Sequence, residues 1–153
     1  MDPTQLKKIP LFANLSAPDL EKVAAIASSK AFKANERIFA EGEIGTEMFL
    51  IAQGKVRISK MVPGVGEEAL AILEPGSYFG EMALIDDTPR SADATAHLAC
   101  TLYVIQKPAL EALMIEHKEL AYVLLTTFVK TLSGRLRETN DKIKAFFALS
   151  ARY

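Results

Sequence analysis

Phe79-Gly80-Glu81-Met82-Ala83-Leu84-Ile85-Asp86-Asp87-Thr88-Pro89-Arg90-Ser91-Ala92-Asp93-Ala94 is the stretch on which the reading of this chain turns. Gly80 follows the turn signal Pro75-Gly76 and precedes a short apolar run, so the backbone there can approach a ligand without a side chain in the way. A one-turn helix over Glu81 to Ile85 points its free N–H groups outward, and helix starts attract anions. Pro89 fixes the approach of the chain to Arg90, whose guanidinium presents planar, paired donors to two phosphate oxygens. Ser91 and Ala92 are small enough for their amides and the Ser91 hydroxyl to close around the same oxygens. Glu81 repels a phosphate at short range, so in such a cradle it addresses a neutral part of the ligand, for which sugar hydroxyls are natural donors.

Taken singly, these residues also fit an ordinary loop in which Glu81 and Arg90 form a surface ion pair. Taken together, their order and spacing resemble the phosphate-binding cassette of cyclic nucleotide-binding domains, found in catabolite-activator-type regulators, nucleotide-gated channels and kinase regulatory subunits. Ile38-Phe39-Ala40-Glu41-Gly42-Glu43-Ile44-Gly45-Thr46-Glu47-Met48-Phe49-Leu50-Ile51-Ala52-Gln53-Gly54-Lys55-Val56-Arg57-Ile58 resembles the glycine-punctuated strands of the same family. The resemblance implies that Glu81 binds the ribose 2'-hydroxyl and Arg90 the cyclic phosphate. It implies too that the backbone around Phe79, Gly80, Met82, Ala83, Ser91 and Ala92 completes the cradle, with Ile58 and Leu70 lining the base side. The fold it implies is α+β: an antiparallel, jelly-roll-like β-roll (a double-stranded β-helix) with N-terminal helices and a long C-terminal helix.

At 153 residues, half of them apolar, the chain suits one domain with a substantial core. A formal charge of -1, from 18 basic and 19 acidic residues, leaves no broad electrostatic footprint for nucleic acid or an anionic membrane. Any anion is then held locally. The single Cys100 lies in the apolar stretch Leu98 to Ile105 and has no disulfide partner within the chain, so a buried thiol and a reducing, cytoplasmic setting are expected. No basic segment leads into an apolar one at the N-terminus, and no uncharged run approaches the roughly 20 residues that span a bilayer.

Three segments follow from the texture. Residues 1–29 are an N-terminal helical segment, with apolar positions at helical spacing over 4–29 and Ser16-Ala17-Pro18-Asp19 as a capping-box-like start. Residues 30–106 are short β-rich pieces broken by glycine and proline at the spacing of an antiparallel roll or barrel, with the cassette at 79–92. Within them Ala69 and Ala71, or Leu70 and Ile72, supply the inward face. Residues 107–153 are helical: Lys107-Pro108 opens a short helix to His117, and a longer one runs over 118–147.

Leu125, Val129, Leu132, Leu136, Thr139, Ile143 and Phe146 recur along that second helix in steps of four and three. Such a seam packs either on the chain's own sheet or on a second copy. The resemblance favours a homodimer through 118–147, since the family uses this helix both to cover the nucleotide and to dimerise. Thr139, the one polar member, either bonds a backbone carbonyl of its own helix or faces a ligand. The resemblance places it against adenine, and Asn140 at the position that reaches across the dimer.

His97 and His117 are isolated, and no spacing among His, Cys and acidic residues offers metal ligands. Glu81 and Arg90 lack an accompanying nucleophile, so no enzyme, metal or resident cofactor is expected. The chain reads as a stand-alone sensor of a 3',5'-cyclic nucleotide that signals to an effector protein. The resemblance favours cyclic AMP over cyclic GMP, through Thr139 and through Ser91, since in the family a threonine after the cassette arginine favours guanine. With no recognition helix after residue 147, direct DNA binding is not expected. The competing reading is an interaction module of the same fold that binds no cyclic mononucleotide, or a cyclic dinucleotide at another surface. Asp93, just past the cradle, is expected by strand alternation to turn away from it.

Overall fold

The computed structural model describes residues 2–150. Two short helices open the chain, α1 (Pro3–Lys7) and α2 (Ala17–Ile26). Helical spacing over residues 4–29 is interrupted, because Pro10 breaks the run and residues 8–15 form turns and bends. Asp2 and Ser16 cap the two starts, the Ser16 hydroxyl accepting from the Asp19 amide.

Eight strands follow: β1 (Ala27–Phe32), β2 (Arg37–Phe39), β3 (Glu47–Gln53), β4 (Val56–Val62), β5 (Gly66–Leu73), β6 (Tyr78–Phe79), β7 (Asp93–Ala96) and β8 (Cys100–Gln106). The one-turn helix α3 (Met82–Ile85) sits between β6 and β7, and α4 (Lys107–Glu116) and α5 (Lys118–Ser150) close the chain. The strands form two four-stranded antiparallel sheets, ordered β1-β8-β3-β6 and β2-β7-β4-β5. These sheets face each other as a β-roll.

Alternation along β3 builds two cores at once. Phe49 and Ile51 point between the sheets, where they meet Val56, Phe79, Ala94, Leu102 and Val104. Met48 and Leu50 point the other way, into a second core with Leu6, Phe12, Leu20 and Val23 of the N-terminal segment and with Leu110, Leu120, Leu124 and Phe128 of α4 and α5. Helices therefore cover one sheet, which is why Met48-Phe49-Leu50-Ile51 is continuously apolar. β5 is an outer strand, and most of its residues are exposed. None of the described helices is long and apolar enough to cross a membrane.

Gly54, in the turn between β3 and β4, has φ +83°, and a Cβ there would stand 2.3 Å from the Ala99 carbonyl oxygen and 2.6 Å from the Cys100 Cα. Both obstacles are backbone. Gly54→Ala is expected to destabilise the fold by about 2 kcal/mol or more, from left-handed backbone strain plus the clash. Urea unfolding of the variant beside the wild type measures this.

Candidate functional site

Arg90 comes to lie almost buried, 8% exposed, because the chain around it is built from glycines and laced by backbone bonds. Its amide donates to the Glu43 carbonyl and its carbonyl accepts from the Gly42 amide, both at 2.8 Å, which ties the 41–46 loop to the cassette. The guanidinium donates through Nη1 to the Gly80 carbonyl at 3.1 Å and through Nη2 to the Glu47 carbonyl at 2.8 Å. Its Cζ stands 4.1 Å from the centre of the Phe39 ring. Gly45 and Gly80 leave room for it: a Cβ on Gly45 would come 2.2 Å from the Arg90 Nε, and one on Gly80 2.7 Å from its Nη1. Gly80 also takes φ +75°, a conformation glycine adopts without strain.

Two neutral carbonyls thus hold a cation that has no carboxylate partner among the described residues. Burial pulls the guanidinium below its ordinary value, and the Glu47, Glu43 and Glu81 carboxylates oppose that shift from a distance. An arginine stays protonated even so, and keeps donors beyond the two spent on carbonyls. The surface ion pair between Glu81 and Arg90 does not form.

Glu81, the residue before α3, is 5% exposed and paired elsewhere: its Oε1 accepts from Arg135 Nη1 of α5 at 2.6 Å. The Arg135 guanidinium lies 5.3 Å from the centre of the Tyr78 ring, and Tyr78 meets Phe128 of α5 edge-on.

Between these groups lies a cavity of about 490 Å³. Phe79, Gly80, Glu81, Met82, Ala83, Arg90, Ser91, Ala92 and Ile58 line it, together with Phe39, Ala71, Leu73, Tyr78, Thr88, Pro89, Leu132 and Arg135. Arg90, Glu81 and Arg135 supply its charged lining, and Ile58, Ala71, Leu73 and Leu132 from β4, β5 and α5 supply aliphatic lining.

Leu70 does not join them. A bulge shifts the β4–β5 register, pairing Ile58 with Ala71 and Ser59 with Ala69, so Leu70 is the residue left over. It is 59% exposed, and Ala71 and Leu73 take its expected place. Thr139 and Asn140 also stand apart from the cavity, both exposed; the Thr139 hydroxyl donates to the Arg135 carbonyl of its own helix at 2.9 Å. Mid-helix threonines commonly bond back in this way. Asp93 lies outside the lining, accepting from the Glu41 amide at 2.7 Å. Asp87 is paired with Lys107 at 2.8 Å. Cys100 is buried, and burial raises its thiol above the ordinary value, which leaves little thiolate at neutral pH. Among the described residues no three His, Cys, Asp or Glu side chains converge as a metal site.

Arg135 is the residue the sequence hid. Its only signal is phase, seven residues after Phe128 and three after Leu132 on the helix face that turns toward the roll.

A family profile described as "Cyclic nucleotide-binding domain" matches residues 29–117. The chain is 32% identical over 112 residues to the CRP-like cAMP-activated global transcriptional regulator of Mycobacterium tuberculosis, covering 73% of this chain and 48% of that protein. It is 40% identical over 93 residues to the cGMP-dependent protein kinase, isozyme 1, of Drosophila melanogaster, covering 60% of this chain and 12% of that one. It thus spans about half the length of the Mycobacterium regulator. Among solved structures, a cyclic nucleotide-binding domain from Methylobacillus flagellatus superposes with a TM-score of 0.80 at 29% identity, covering 92% of this chain and 79% of that one.

Proposed function

The chain belongs to the cyclic nucleotide-binding domain family, and from that premise we propose that its cavity takes a 3',5'-cyclic purine nucleotide, cyclic AMP in preference to cyclic GMP. The observation that carries this is Arg90, a nearly buried cation seated by two carbonyls, unpaired with any described carboxylate and lining the cavity. A singly charged cyclic phosphate supplies the missing counter-charge. Glu81 lines the same cavity and accepts a sugar hydroxyl, while Ile58, Ala71, Leu73 and Leu132 offer the base an apolar surface.

The choice of base rests on Ser91, which follows the cassette arginine where a threonine favours guanine in the family, and on the Mycobacterium regulator, by its name activated by cAMP; the Drosophila kinase, by its name cGMP-dependent, weighs the other way. Calorimetric titration with both nucleotides tests it. Tighter binding of cyclic AMP is expected; tighter cyclic GMP reverses the base choice, and no heat with either refutes the site.

The role we infer is regulatory, not catalytic: occupancy changes how α5 sits on the roll, and a partner protein reads that helix. α5 buries Leu120, Ala121, Leu124 and Phe128 on its own core and leaves Leu125, Val129, Leu136, Ile143 and Phe146 exposed on its outer stripe. A second copy covers this stripe in the proposed homodimer. Leu136→Glu is therefore expected to halve the mass seen by light scattering, and an unchanged mass removes the seam.

A further inference from the structure

Behind the cassette helix lies a second cavity, of about 400 Å³, walled by α3, α4 and α5. Its sides are apolar: Leu84 and Ile85 come from α3, Met114 and Ile115 from α4, and Leu125 and Phe128 from α5. None of these six lines the nucleotide cavity, to which α3 contributes Met82 and Ala83 instead. One turn of helix thus stands between two distinct cavities. The second is not sealed, since Ile115 is 69% exposed, Ile85 52% and Leu125 46%. Three large aliphatic side chains left in water around one hollow mark a docking surface.

Two properties of the hollow say what fits it. Every described lining residue belongs to a helix, and a helix spends most of its backbone N–H and C=O groups on itself. An extended segment laid there finds no strand edge to pair with, so the occupant has to satisfy its own backbone, as a helix does. The mouth, in turn, is acidic. Lys107, the one cation among the described lining residues, donates to Asp87 at 2.8 Å and stands 3.9 Å from Glu111. Asp87 in the first place, with Glu111 and Asp86, holds its ammonium above the ordinary value. Three carboxylates around one ammonium leave the mouth with an excess of negative charge, and Asp87 presents its carboxylate almost wholly to solvent.

We propose that the hollow between α3, α4 and α5 is a docking site for an amphipathic helix of a partner protein, apolar on the face it buries and basic along its flanks. Apolar residues recurring at steps of three and four on that helix cover Ile85, Ile115 and Leu125, and its lysines or arginines meet Asp86, Asp87 and Glu111. The apolar contacts supply the affinity, and the charges select the partner and speed its arrival. Docking here needs no nucleotide, so it is tested on the ligand-free protein, and its failure leaves the reading of the other cavity untouched.

The probe is a synthetic helical peptide with leucine on one face and lysine on the other, set beside the same peptide with glutamate for lysine and a scrambled one. Fluorescence anisotropy of the labelled peptides reads the binding. The lysine peptide is expected to bind the wild type saturably and about tenfold or more tighter than either control, with its margin over the glutamate peptide shrinking as salt is added. Ile115→Ser changes an exposed side chain and is expected to weaken the lysine peptide about tenfold. Glu111→Lys is expected to weaken that peptide several-fold and to strengthen the glutamate peptide. Equal binding of the scrambled peptide, or indifference to Ile115→Ser, overturns the site. Equal affinity for lysine and glutamate peptides overturns the basic partner. A wild-type dimer whose mass by light scattering halves in Ile115→Ser assigns the hollow to a second copy and overturns the proposal too. The three peptides are compared first on the unaltered protein, so the outcome does not hang on a variant that misfolds.

Discussion

Arg90→Ala is expected to weaken cyclic AMP binding by about 2 to 5 kcal/mol, roughly 30-fold to several thousand-fold, with the ligand-free fold nearly unchanged. The two halves of that expectation have one cause. In the empty protein the guanidinium is almost buried with only the Gly80 and Glu47 carbonyls and the Phe39 ring for company. Alanine removes a desolvated cation that had no carboxylate and leaves the Gly80 and Glu47 carbonyls to water in the cavity, so the gain and the loss oppose each other and folding stability changes by about 1 kcal/mol or less. A bound phosphate meets that same cation already desolvated and oriented, and deleting the cation leaves the anion buried alone. Arg90→Lys retains charge but cannot reach two carbonyls with a planar fork, and its affinity should fall between the two. Calorimetry gives the binding loss, and urea unfolding without ligand gives the stability. Binding that survives the alanine substitution places the anion elsewhere, and collapse of the ligand-free fold makes Arg90 a structural residue.

How far the sequence disclosed this site depends on which contacts are local. The cassette is contiguous, so Gly80, Glu81, Arg90, Ser91 and Ala92 announce their chemistry by type and order, and the roll brings them to one cavity. Ile58 likewise reaches the lining from an ordinary strand alternation. Leu70 does not, because a one-residue bulge is invisible in a run of Ala69-Leu70-Ala71-Ile72, where either alternation is apolar. The long helix was legible as a helix but not in its rotation. The sequence offers one stripe in steps of four and three, whereas the fold divides α5 into a face packed through Phe128 and an exposed face through Val129 and Leu136. Which face meets the roll is decided by the seating of Phe128 against Tyr78, a contact between residues fifty positions apart. From that seating Leu132 and Arg135 reach the cavity, and Thr139, one turn on, bonds back to its own helix instead. Nothing in composition separates Arg135 from its neighbour Arg137. The ion pair with Glu81 spans 54 residues and exists only once the helix is placed.

The glycines of the 41–46 loop carry a second large effect. Gly45 does not have the positive φ that marks Gly42, so its backbone conformation admits any residue. What excludes a side chain is the Arg90 guanidinium, with Nε 2.2 Å and Cζ 2.3 Å from the place of a Cβ. Atoms cannot share that space. The obstacle is the far end of a flexible side chain, not backbone, so Gly45→Ala is relieved by moving Arg90 out of its seat rather than by unfolding the roll. The displaced guanidinium loses the Gly80 and Glu47 carbonyls and the face of Phe39, and with them its aim into the cavity. The expected result is a cyclic AMP affinity approaching that of Arg90→Ala, a loss of about 2 kcal/mol or more, in a protein that still carries its arginine. The pair Gly45→Ala and Arg90→Ala should then be far from additive, the double variant binding no worse than Arg90→Ala alone, since both changes remove one interaction. Additive losses in calorimetry would mean that Gly45 acts on the site by some route other than Arg90, and a Gly45→Ala protein that binds as the wild type does would mean that the loop yields before the arginine.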